Sequence, residues 1–512
     1  MGEFLSNKRE SALRVLSKSK LLAFRQCPKR LWLEVHRPDL REDSSATQAS
    51  FTVGHQVGDI ARQVYDPKGK GALIDFKVGG FEAAFARTQV LLQANQPIFE
   101  AGFRAEGALA FADVMLPVKR GGKRAWRMVE VKSSTSVKDY HRDDAAVQAF
   151  LARSSSGVPL AGIALAHIDS SWVYPGGGDY SGLLVENDLT DESFSRGTEV
   201  RSWIEESHEI AAKKREPQVS TGEQCSAPYE CGFFSYCQGQ EPQAEQPLHW
   251  LPGAQSKGLK AHVDVHGVRE LRDVPDALLN EKQRRVKAVT LTGEPYFDQK
   301  SALQELAQHK LPAFFMDFET IQFAVPIWKG TRPYQQIPFQ FSVHRLARTG
   351  KLEQQAFLDL SGGDPSKAFA EALISACGER DPIFVYNAGF ETARIRDLAQ
   401  RFPRLSAALL ALNERVVDLL PVAREHYYHP SQQGSWSIKA VLPALCPDLN
   451  YGDLDGVQDG GMAMEVFMEA ISPQTSAARK AEIEKQLLAY CALDTYAMVR
   501  LWAAFSNSPL KI

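Results

Sequence analysis

The sequence lacks an excess of basic residues and any long apolar run. Its 59 Lys and Arg residues are matched by 62 Asp and Glu residues, which gives a formal net charge of -3 at pH 7. Affinity for nucleic acid would therefore have to come from local clusters of cations rather than from the whole surface. No apolar segment is long enough to cross a bilayer, and the first residues lack the apolar core of a secretory signal. We therefore expect a cytoplasmic protein that has no membrane partner.

Internal repeats and low-complexity tracts are also missing, which argues against a solenoid or a disordered chain. The 512 residues, 44% of them hydrophobic, suffice for more than one core. Changes in patterning predict an α/β multi-domain protein with one domain over residues 1–247, a helical connector over 248–310 and a second domain over 311–512. The first boundary follows a polar stretch, 216–247, that is rich in Cys, Gly, Pro and Gln.

Two oppositely charged residues stand on a predicted strand of the first domain. In the sequence Val-Glu-Val-Lys, alternation places Glu130 and Lys132 on one face and the two valines on the other. Asp113 lies on the preceding predicted strand, and a hairpin through Gly121-Gly122 would bring it beside Glu130. Carboxylates in this arrangement suit Mg²⁺ or Mn²⁺, and Lys132 would neutralise charge on a phosphate. The alternative is the polar face of an ordinary strand.

The order of the strands, the upstream aspartate and Gln148 on the next predicted helix resemble the RecB-like branch of the PD-(D/E)XK nucleases. That branch often carries a metal-binding histidine on an early helix, where this sequence has His55. The resemblance implies a restriction-endonuclease-like core and two sets of site residues. The implied catalytic residues are Asp113, Glu130, Lys132 and Gln148, and the implied metal ligands are His55, Asp113 and Glu130.

Seven cysteines divide into two groups. Three are scattered among apolar neighbours and are predicted to be core residues: Cys377, Cys446 and Cys491. The other four bracket the first domain: Cys27, Cys225, Cys231 and Cys237. This bracket resembles the iron-sulfur nucleases of CRISPR adaptation and of AddB-type helicase-nucleases, which implies a [4Fe-4S] cluster. Five residues separate Cys225 from Cys231 where those families commonly have two, so a zinc site and four unligated thiols stay open as alternatives.

Two acids interrupt an apolar strand at the start of the second domain. Asp317 and Glu319 are two residues apart, so alternation puts both carboxylates on one face. Burying two like charges together is costly unless a cation lies between them, which predicts a second site for Mg²⁺ or Mn²⁺. Residues 313–320, 338–347 and 352–360 are predicted to form three consecutive antiparallel strands.

This Asp-x-Glu resembles the opening motif of the DEDD exonucleases, which have an RNase H-like fold. Two later segments resemble the other motifs in chain order. In the second, Asn387 and an aromatic residue precede an acid, here Glu391 instead of the usual aspartate. In the third, Tyr490 and Asp494 share a helix face at i and i+4, as in the tyrosine subtype. The resemblance implies catalytic roles for Asp317, Glu319, Glu391, Tyr490 and Asp494, with metal held by Asp317, Glu319 and Asp494.

Contacts to nucleic acid are predicted close to these motifs. The predicted residues are Arg25, Arg30, Asn387 and Lys439. Lys439 ends an aromatic-rich stretch, 427–439, that would either stack on a frayed strand end or form a packed loop. The two arginines would either meet phosphates or form a solvated helix face. Asp418 is predicted to cap the helix that follows it rather than to bind metal.

Together these motifs predict a metal-dependent nuclease with two active sites, whose second domain is a 3'-5' exonuclease. The family resemblance favours DNA over RNA, as single strands or from ends, and the segment 258–506 looks like a bacterial domain family of unassigned function that is joined to RecB-like modules. One alternative is an RNA 3'-5' exonuclease whose first domain only grips nucleic acid. Another is a non-catalytic scaffold that binds DNA ends. The sequence identifies no protein partner.

Overall fold

The protein divides into two compact units in a computed structural model that describes residues 14–155 and 158–508. The first unit comprises Met1–Pro242 together with Phe323–Tyr334, and the second comprises Gln243–Gln322 and Gln335–Ile512. Residues 248–310, the predicted connector, therefore belong to the second unit. Both units mix helices with sheets, which confirms the predicted α/β class. Within the described ranges, no helix combines the length and apolarity that crossing a membrane requires.

The first unit contains one sheet and the helices around it. Its elements in chain order are β1 (Leu16–Ser17), α1 (Lys18–Gln26), α2 (Pro28–His36), α3 (Ser45–Tyr65), β2 (Ala72–Leu73), α4 (Gly80–Leu91), β3 (Ile98–Ala105), β4 (Ala108–Arg120), β5 (Lys123–Lys132), α5 (Asp139–Ser154), β6 (Leu160–Ile168), β7 (Leu184–Asp188), α6 (Thr190–Ser195), α7 (Gly197–Ala211) and α8 (Phe234–Gly239). The strands are ordered β2-β3-β4-β5-β6-β7, and β1 pairs in parallel with the start of β4.

The predicted hairpin between β4 and β5 is confirmed. The two strands are antiparallel, and Gly121 and Gly122 turn the chain with φ angles of 58° and 76°. Both angles lie in the left-handed region that glycine tolerates without a steric penalty. Val129 and Val131 pack in one apolar cluster on the face opposite Glu130, which confirms the predicted alternation.

Helix α5 packs on the sheet of the first unit. Its sheet-facing positions hold small buried residues: Ala145, Ala146, Ala149 and Ala152. Because alanine side chains are short, the helix axis can lie close to the strands. The polar residues of α5 on the same side therefore come within hydrogen-bond distance of groups on β4 and β5.

Residues 323–334 leave the second unit between two of its strands and fold with the first. Ala324 is buried in a cluster with Val57 and Ile168, and Thr331 O accepts a hydrogen bond of 3.0 Å from Tyr174 N. The Tyr334 hydroxyl donates to the carbonyl of Ser133, one residue after β5 ends. The first unit is thus completed by a segment from the later half of the sequence.

The second unit contains a five-stranded sheet and a two-stranded one. Its elements in chain order are α9 (Lys257–His266), α10 (Glu281–Thr292), β8 (Tyr296–Phe297), α11 (Gln299–Leu306), β9 (Ala313–Ile321), β10 (Ile337–Leu346), β11 (Leu352–Leu358), α12 (Ser366–Cys377), β12 (Ile383–Val385), α13 (Gly389–Arg401), α14 (Ser406–Asn413), β13 (Val416–Asp418), α15 (Leu419–His426), β14 (Tyr427–Tyr428), α16 (Ile438–Leu445), α17 (Gly460–Ile471) and α18 (Ala477–Phe505).

The larger sheet has the order β11-β10-β9-β12-β13. Strands β9, β10 and β11 are antiparallel neighbours, as predicted, whereas β12 runs parallel to β9 and to β13. Phe314, Met316 and Phe318 point from β9 into the core that α12 and α13 cover. The alternate residues of β9, which include Asp317 and Glu319, therefore face the other side of the sheet.

Candidate active sites

Three carboxylates meet on the face of β9 against which α18 packs. One oxygen from each of Asp317, Glu319 and Asp494 lies within 4.8 Å of the other two, and within residues 14–155 and 158–508 this is the only such group of three His, Cys, Asp or Glu ligand atoms. The acids on β9 share a face because they are two residues apart, while Asp494 arrives from α18. The structure therefore brings together the three metal ligands that the sequence predicts.

Burial raises the pKa of each carboxyl group in this cluster. The pKa of Glu319 rises to about 8, first through burial and then through the charge of Asp494. Burial likewise raises the pKa of Asp494 to about 6. The pKa of Asp317 is well above its usual value. Burial is the largest cause, and the negative charges of Asp494, Glu319 and Glu391 raise the pKa further. Oxygen donors that repel one another in this way favour a divalent cation between them.

Two tyrosines contact Asp494. The Tyr451 hydroxyl donates a hydrogen bond of 2.5 Å to Asp494 Oδ1. A further hydrogen bond from Tyr490, one helical turn before Asp494, also lowers the pKa of that carboxyl. Tyr490 was predicted from its i, i+4 spacing. Tyr451 was missed, because it lies in a turn 43 residues earlier and no local pattern marks it.

One cation approaches the cluster. The ammonium group of Lys439 lies 5.2 Å from the ring centre of Tyr451 and 5.1 Å from that of Tyr490. It donates a hydrogen bond of 2.7 Å to the carbonyl of Gln458 and lowers the pKa values of Glu319 and Asp494. Its charge therefore acts on the carboxylates although it makes no ion pair with them in the structure.

Helix α18 is fixed against the sheet by a buried polar network. Thr495 Oγ1 lies 2.8 Å from Ser342 Oγ and 2.8 Å from His344 Nδ1, both on β10. Burial lowers the pKa of His344 to about 4, so its ring stays neutral at physiological pH. Because Thr495 follows Asp494 directly, these bonds set the rotation of the helix that presents the third carboxylate.

Glu391 lies in the first turn of α13 with its carboxylate buried. No donor among the described residues lies within hydrogen-bond distance of its Oε2 atom. Burial, followed by the charge of Asp418, raises the pKa of Glu391 to about 8. Its charge also raises the pKa of Asp317, although Glu391 is outside the group of three. The longer glutamate side chain therefore stands next to the cluster rather than within it.

The turn before α13 is held by Asp418. Its carboxylate accepts hydrogen bonds from Asn387 N at 2.9 Å and from Ala388 N at 3.0 Å. It also accepts from Leu420 N at 2.9 Å, which confirms the predicted cap of the following helix. Asn387 has a φ of 77°, a left-handed conformation that asparagine tolerates better than most residues. Asp418 thereby fixes the turn that leads into α13, the helix that carries Glu391.

An open groove of the second unit includes Asn387 and residues of the predicted connector. The polar and aromatic side chains that line it include Asn280, Lys282, Tyr386, Asn387, Arg424 and Trp436. The groove also contacts Ile438, the residue before Lys439. Asn387 thus lines the groove, Lys439 directly follows a residue that lines it, and α10 of the predicted connector contributes one wall through Lys282.

The first site brings Asp113 and Glu130 together across β4 and β5. Asp113 Oδ2 accepts a hydrogen bond of 2.7 Å from Val131 N, the residue between Glu130 and Lys132. The ammonium group of Lys132 lies 2.8 Å from Glu130 Oε1. Burial, followed by the charges of Asp113 and Asp144, raises the pKa of Glu130 to about 7. The predicted common face of Glu130 and Lys132 is confirmed.

Two further residues of this site, Asp144 and Lys18, were not predicted from the sequence. Asp144 on α5 accepts from Lys132 through Oδ2 at 2.5 Å, and its Oδ1 lies 2.8 Å from the ammonium group of Lys18. Lys18 also contacts Glu130 Oε1, at 2.7 Å. Asp144 stands four residues before Gln148, so the i, i+4 spacing on a helix was the available signal. Lys18 is more than a hundred residues away in sequence, and no local signal indicated it.

Gln148 is fully buried and holds the other oxygen of Glu130. Its amide donates to Glu130 Oε2 at 2.9 Å and to the carbonyl of Phe111 at 2.8 Å. His55 is exposed on α3, and it forms no group of three ligand atoms with Asp113 and Glu130. The sequence prediction for Gln148 is thus supported by direct contact, whereas His55 is placed near solvent.

The four bracketing cysteines line one pocket between α2 and the segment that leads to α8. Burial raises the pKa of Cys231, and it raises that of Cys237 to about 11, partly offset by the charge of Lys29. Among the described residues, no three of these sulfurs lie within 4.8 Å of one another.

The remaining cysteines and Arg25 lie outside this pocket, whereas Arg30 lines it. Cys377, Cys446 and Cys491 are buried, as predicted. Arg25 is exposed; it donates to Asp143 at 3.3 Å and lies over the ring of Trp203. Arg30 is buried and pairs with Glu34 at 3.1 Å, which directs its charge into the protein.

Comparison with known proteins finds similarity to a protein family and to solved structures. The family described as a domain of unknown function (DUF2779) matches residues 314–437 of the 512. A solved structure entitled "Crystal structure of SSO0001" is 14% identical over 38% of this chain and 76% of its own, with a TM-score of 0.21. Among proteins with curated descriptions, none is significantly similar to this chain.

Proposed function

We propose that this protein is a metal-dependent nuclease with two active sites, one in each unit, that degrades DNA as single strands or from ends. The observation that carries the proposal is the buried group formed by Asp317, Glu319 and Asp494. Three carboxyl groups with raised pKa values are costly to ionise together unless a cation is bound. All the donors are carboxylate oxygens, which Mg²⁺ and Mn²⁺ prefer. The residues present therefore fit a divalent metal centre.

The side chains around this centre suit phosphodiester hydrolysis. Bound divalent ions supply Lewis acidity toward phosphate oxygens and water. Asp317, Glu319 and Asp494 would hold them, and Glu391 adds negative charge beside Asp317. The Tyr490 hydroxyl would orient an attacking water, while Tyr451 fixes the carboxylate of Asp494. The strand order β11-β10-β9-β12-β13 is compatible with the RNase H-like fold that the three motifs imply.

The first unit contributes the second cutting site in this proposal. Asp113 and Glu130 would hold a divalent ion, Lys132 would neutralise charge on the phosphate, and Gln148 orients Glu130 through its hydrogen bond. The four cysteines would bind a [4Fe-4S] cluster that joins the two ends of the unit. That cluster would have a structural role, because Lys29 and Arg30 beside it are buried and paired within the protein.

The proposed preference for DNA and for 3'-5' polarity in the second unit comes from the resemblance to DEDD exonucleases. The groove beside Asn387 and Lys439 offers aromatic rings and exposed cations, which suit a single strand of either nucleic acid. The preference for deoxyribose over ribose is tested by comparing cleavage of DNA and RNA strands of the same sequence.

The decisive experiment compares the wild type with Asp317→Ala, Lys132→Ala and the double variant on 5'- and 3'-labelled strands in Mg²⁺ or Mn²⁺. We expect Asp317→Ala to abolish release of the 3' label and the stepwise shortening of 5'-labelled strands. Lys132→Ala should abolish the remaining cleavage. Glu353→Ala, in an exposed ion pair with Lys351 of the second unit, is the matched control and should cut normally. Activity that survives in the double variant would overturn both assignments. Cleavage of RNA but not of DNA would replace the proposed substrate, and tight binding without cleavage in any metal would indicate a scaffold.

A further inference from the structure

Lys18 is built into the first site by contacts that a surface lysine does not make. Its ammonium group lies 2.7 Å from Glu130 Oε1 and 2.8 Å from Asp144 Oδ1, with 19% of the side chain exposed. Burial lowers its pKa, but the charges of Asp144 and Glu130 outweigh this and raise the pKa to about 12. Lys18 is therefore a permanent cation at the carboxylates, within reach of solvent.

The backbone fixes Lys18 in this position. Strand β1 pairs with the start of β4, where Leu16 lies opposite Ala108 and is fully buried. Helix α1 begins at the next residue after β1, so Lys18 occupies its first turn. The pairing that anchors Leu16 thus holds Lys18 two residues away, beside the strand that carries Asp113.

A lysine in the first turn of a helix is electrostatically unfavourable, because the helix dipole places partial positive charge there. Helix α1 has no acidic residue in its first turn, and Ser17 makes no side-chain capping hydrogen bond. The backbone N–H groups of this first turn and the ammonium group of Lys18 therefore both contribute positive charge at the start of α1. Such an end attracts an anion that carries several oxygens, such as a phosphate group.

Asp144 holds two lysines at once. Its Oδ2 accepts from Lys132 at 2.5 Å and its Oδ1 contacts Lys18 at 2.8 Å, while Glu130 Oε1 accepts from both lysines. Attraction to the two ammonium groups outweighs burial and lowers the pKa of Asp144, so this carboxylate is ionised throughout the physiological range. The proposed metal ligands Asp113 and Glu130 stand on β4 and β5, whereas Asp144 approaches from α5 and contacts the two lysines.

We propose that Lys18 is a second phosphate-binding cation of the first site and that Asp144 is the residue that positions Lys18 and Lys132 on either side of the phosphate. This inference rests on the proposed nuclease function of the first unit. The ligand is the phosphodiester group of a nucleic-acid strand. Lys18 would bind it together with the N-terminus of α1, and Lys132 would bind it from β5.

The test uses the full chain with Asp317→Ala, which silences the second site, and adds Lys18→Met, Lys18→Arg, Lys132→Met or Asp144→Asn. Lys20→Met is the matched control, since two residues advance a helix by about 200° and place Lys20 on the other side of α1. Three quantities are measured: the single-turnover cleavage rate, the salt dependence of strand binding without divalent ions, and the Kd for Mn²⁺. Thermal unfolding checks that each variant is folded.

We expect Lys18→Met to slow cleavage by about tenfold or more, and to reduce the slope of log K against log salt by about one. The affinity of this variant for Mn²⁺ should not fall, because the substitution removes an ammonium group that competes with Mn²⁺ for Glu130. Lys18→Arg should restore the salt slope, Asp144→Asn should impair cleavage as either lysine variant does, and Lys20→Met should change nothing.

An unchanged rate and slope in Lys18→Met, or a loss of Mn²⁺ binding, would overturn the inference. If Asp317→Ala alone cuts nothing, the nuclease proposal for the first unit fails, while the salt slope still decides whether Lys18 binds phosphate.

Discussion

The hydroxyl of Tyr451 donates a hydrogen bond of 2.5 Å to Asp494, although the two residues lie on different elements and 43 positions apart. Asp494 is buried, and burial is the largest influence that raises its pKa, while this hydrogen bond is the largest that lowers it. Tyr451 thus stabilises the ionised form of a carboxylate that needs to be charged to hold metal. It supports the candidate centre without belonging to the three ligands.

Tyr451→Phe should weaken metal binding at the second site about tenfold, because residues that orient metal ligands typically change affinity by 10 to 100-fold. The pKa of Asp494 should rise further in this variant. Calorimetric titration with Mn²⁺ measures the effect, with Tyr296→Phe on β8 as the control for loss of a hydroxyl group. Equal Mn²⁺ affinity in Tyr451→Phe and the wild type would contradict the role assigned to this hydrogen bond.

The stability of the metal-free protein should fall as pH rises from about 5 to 8. Glu319 has a pKa of about 8 in the folded chain against its usual 4.5, so the folded state holds a proton that the unfolded state has lost. Its stabilising effect is complete below pH 4.5 and is lost as pH approaches 8. Metal requires the ionised form, so the rise in Tm on adding Mn²⁺ should grow over the same interval.

Glu319→Gln is the control for this pH dependence. It should reduce the decline of Tm between pH 5 and 8. The remaining decline comes from Glu391, Glu130 and Asp494, whose pKa values are raised to about 8, 7 and 6. It should also reduce the Mn²⁺-dependent rise in Tm at pH 8. A wild-type Tm that is constant over this range without metal would show that these carboxyl groups are not perturbed by burial.

Lys439→Met should raise the pKa values of Glu319 and Asp494, because the ammonium group lowers both. Strand binding should also lose about one unit of its salt slope if Lys439 contacts a phosphate. Lys480→Met is a matched control, since the Lys480 ammonium group likewise donates to a backbone carbonyl, that of Leu360 at 3.0 Å. If both variants bind strands with the wild-type salt slope, Lys439 acts only on the carboxylates.

Protein prepared without oxygen should contain about four iron atoms per chain and show broad visible absorbance. Replacing any one of Cys27, Cys225, Cys231 or Cys237 by Ala should remove the iron and lower the Tm of the first unit, because four thiolates are needed. Cys446→Ala, a buried cysteine outside the pocket, should retain the iron. One zinc ion per chain and no iron would assign the pocket to zinc.

Elements with strong local patterns were predictable from the sequence, and β9 spans Ala313–Ile321 where a strand was predicted over 313–320. The shared faces of Asp317 with Glu319 and of Glu130 with Lys132 follow from strand alternation alone. The contributions of Tyr451 and Lys18 were not predictable, because each depends on a partner brought close only by tertiary packing. The membership of residues 323–334 in the first unit was not predictable either, because these residues lie between two strands of the second unit in the sequence.

The metal centre of the second unit is tested most directly by locating Mn²⁺ in crystals of the full chain through its anomalous scattering. We expect a peak about 2.0 to 2.2 Å from oxygens of Asp317, Glu319 and Asp494, the distance at which such hard ions bind carboxylates. Asp317→Asn should lose that peak while any peak at Asp113 and Glu130 remains. Manganese bound elsewhere, with the three carboxylates of the second unit free of metal at pH 8, would contradict the central claim.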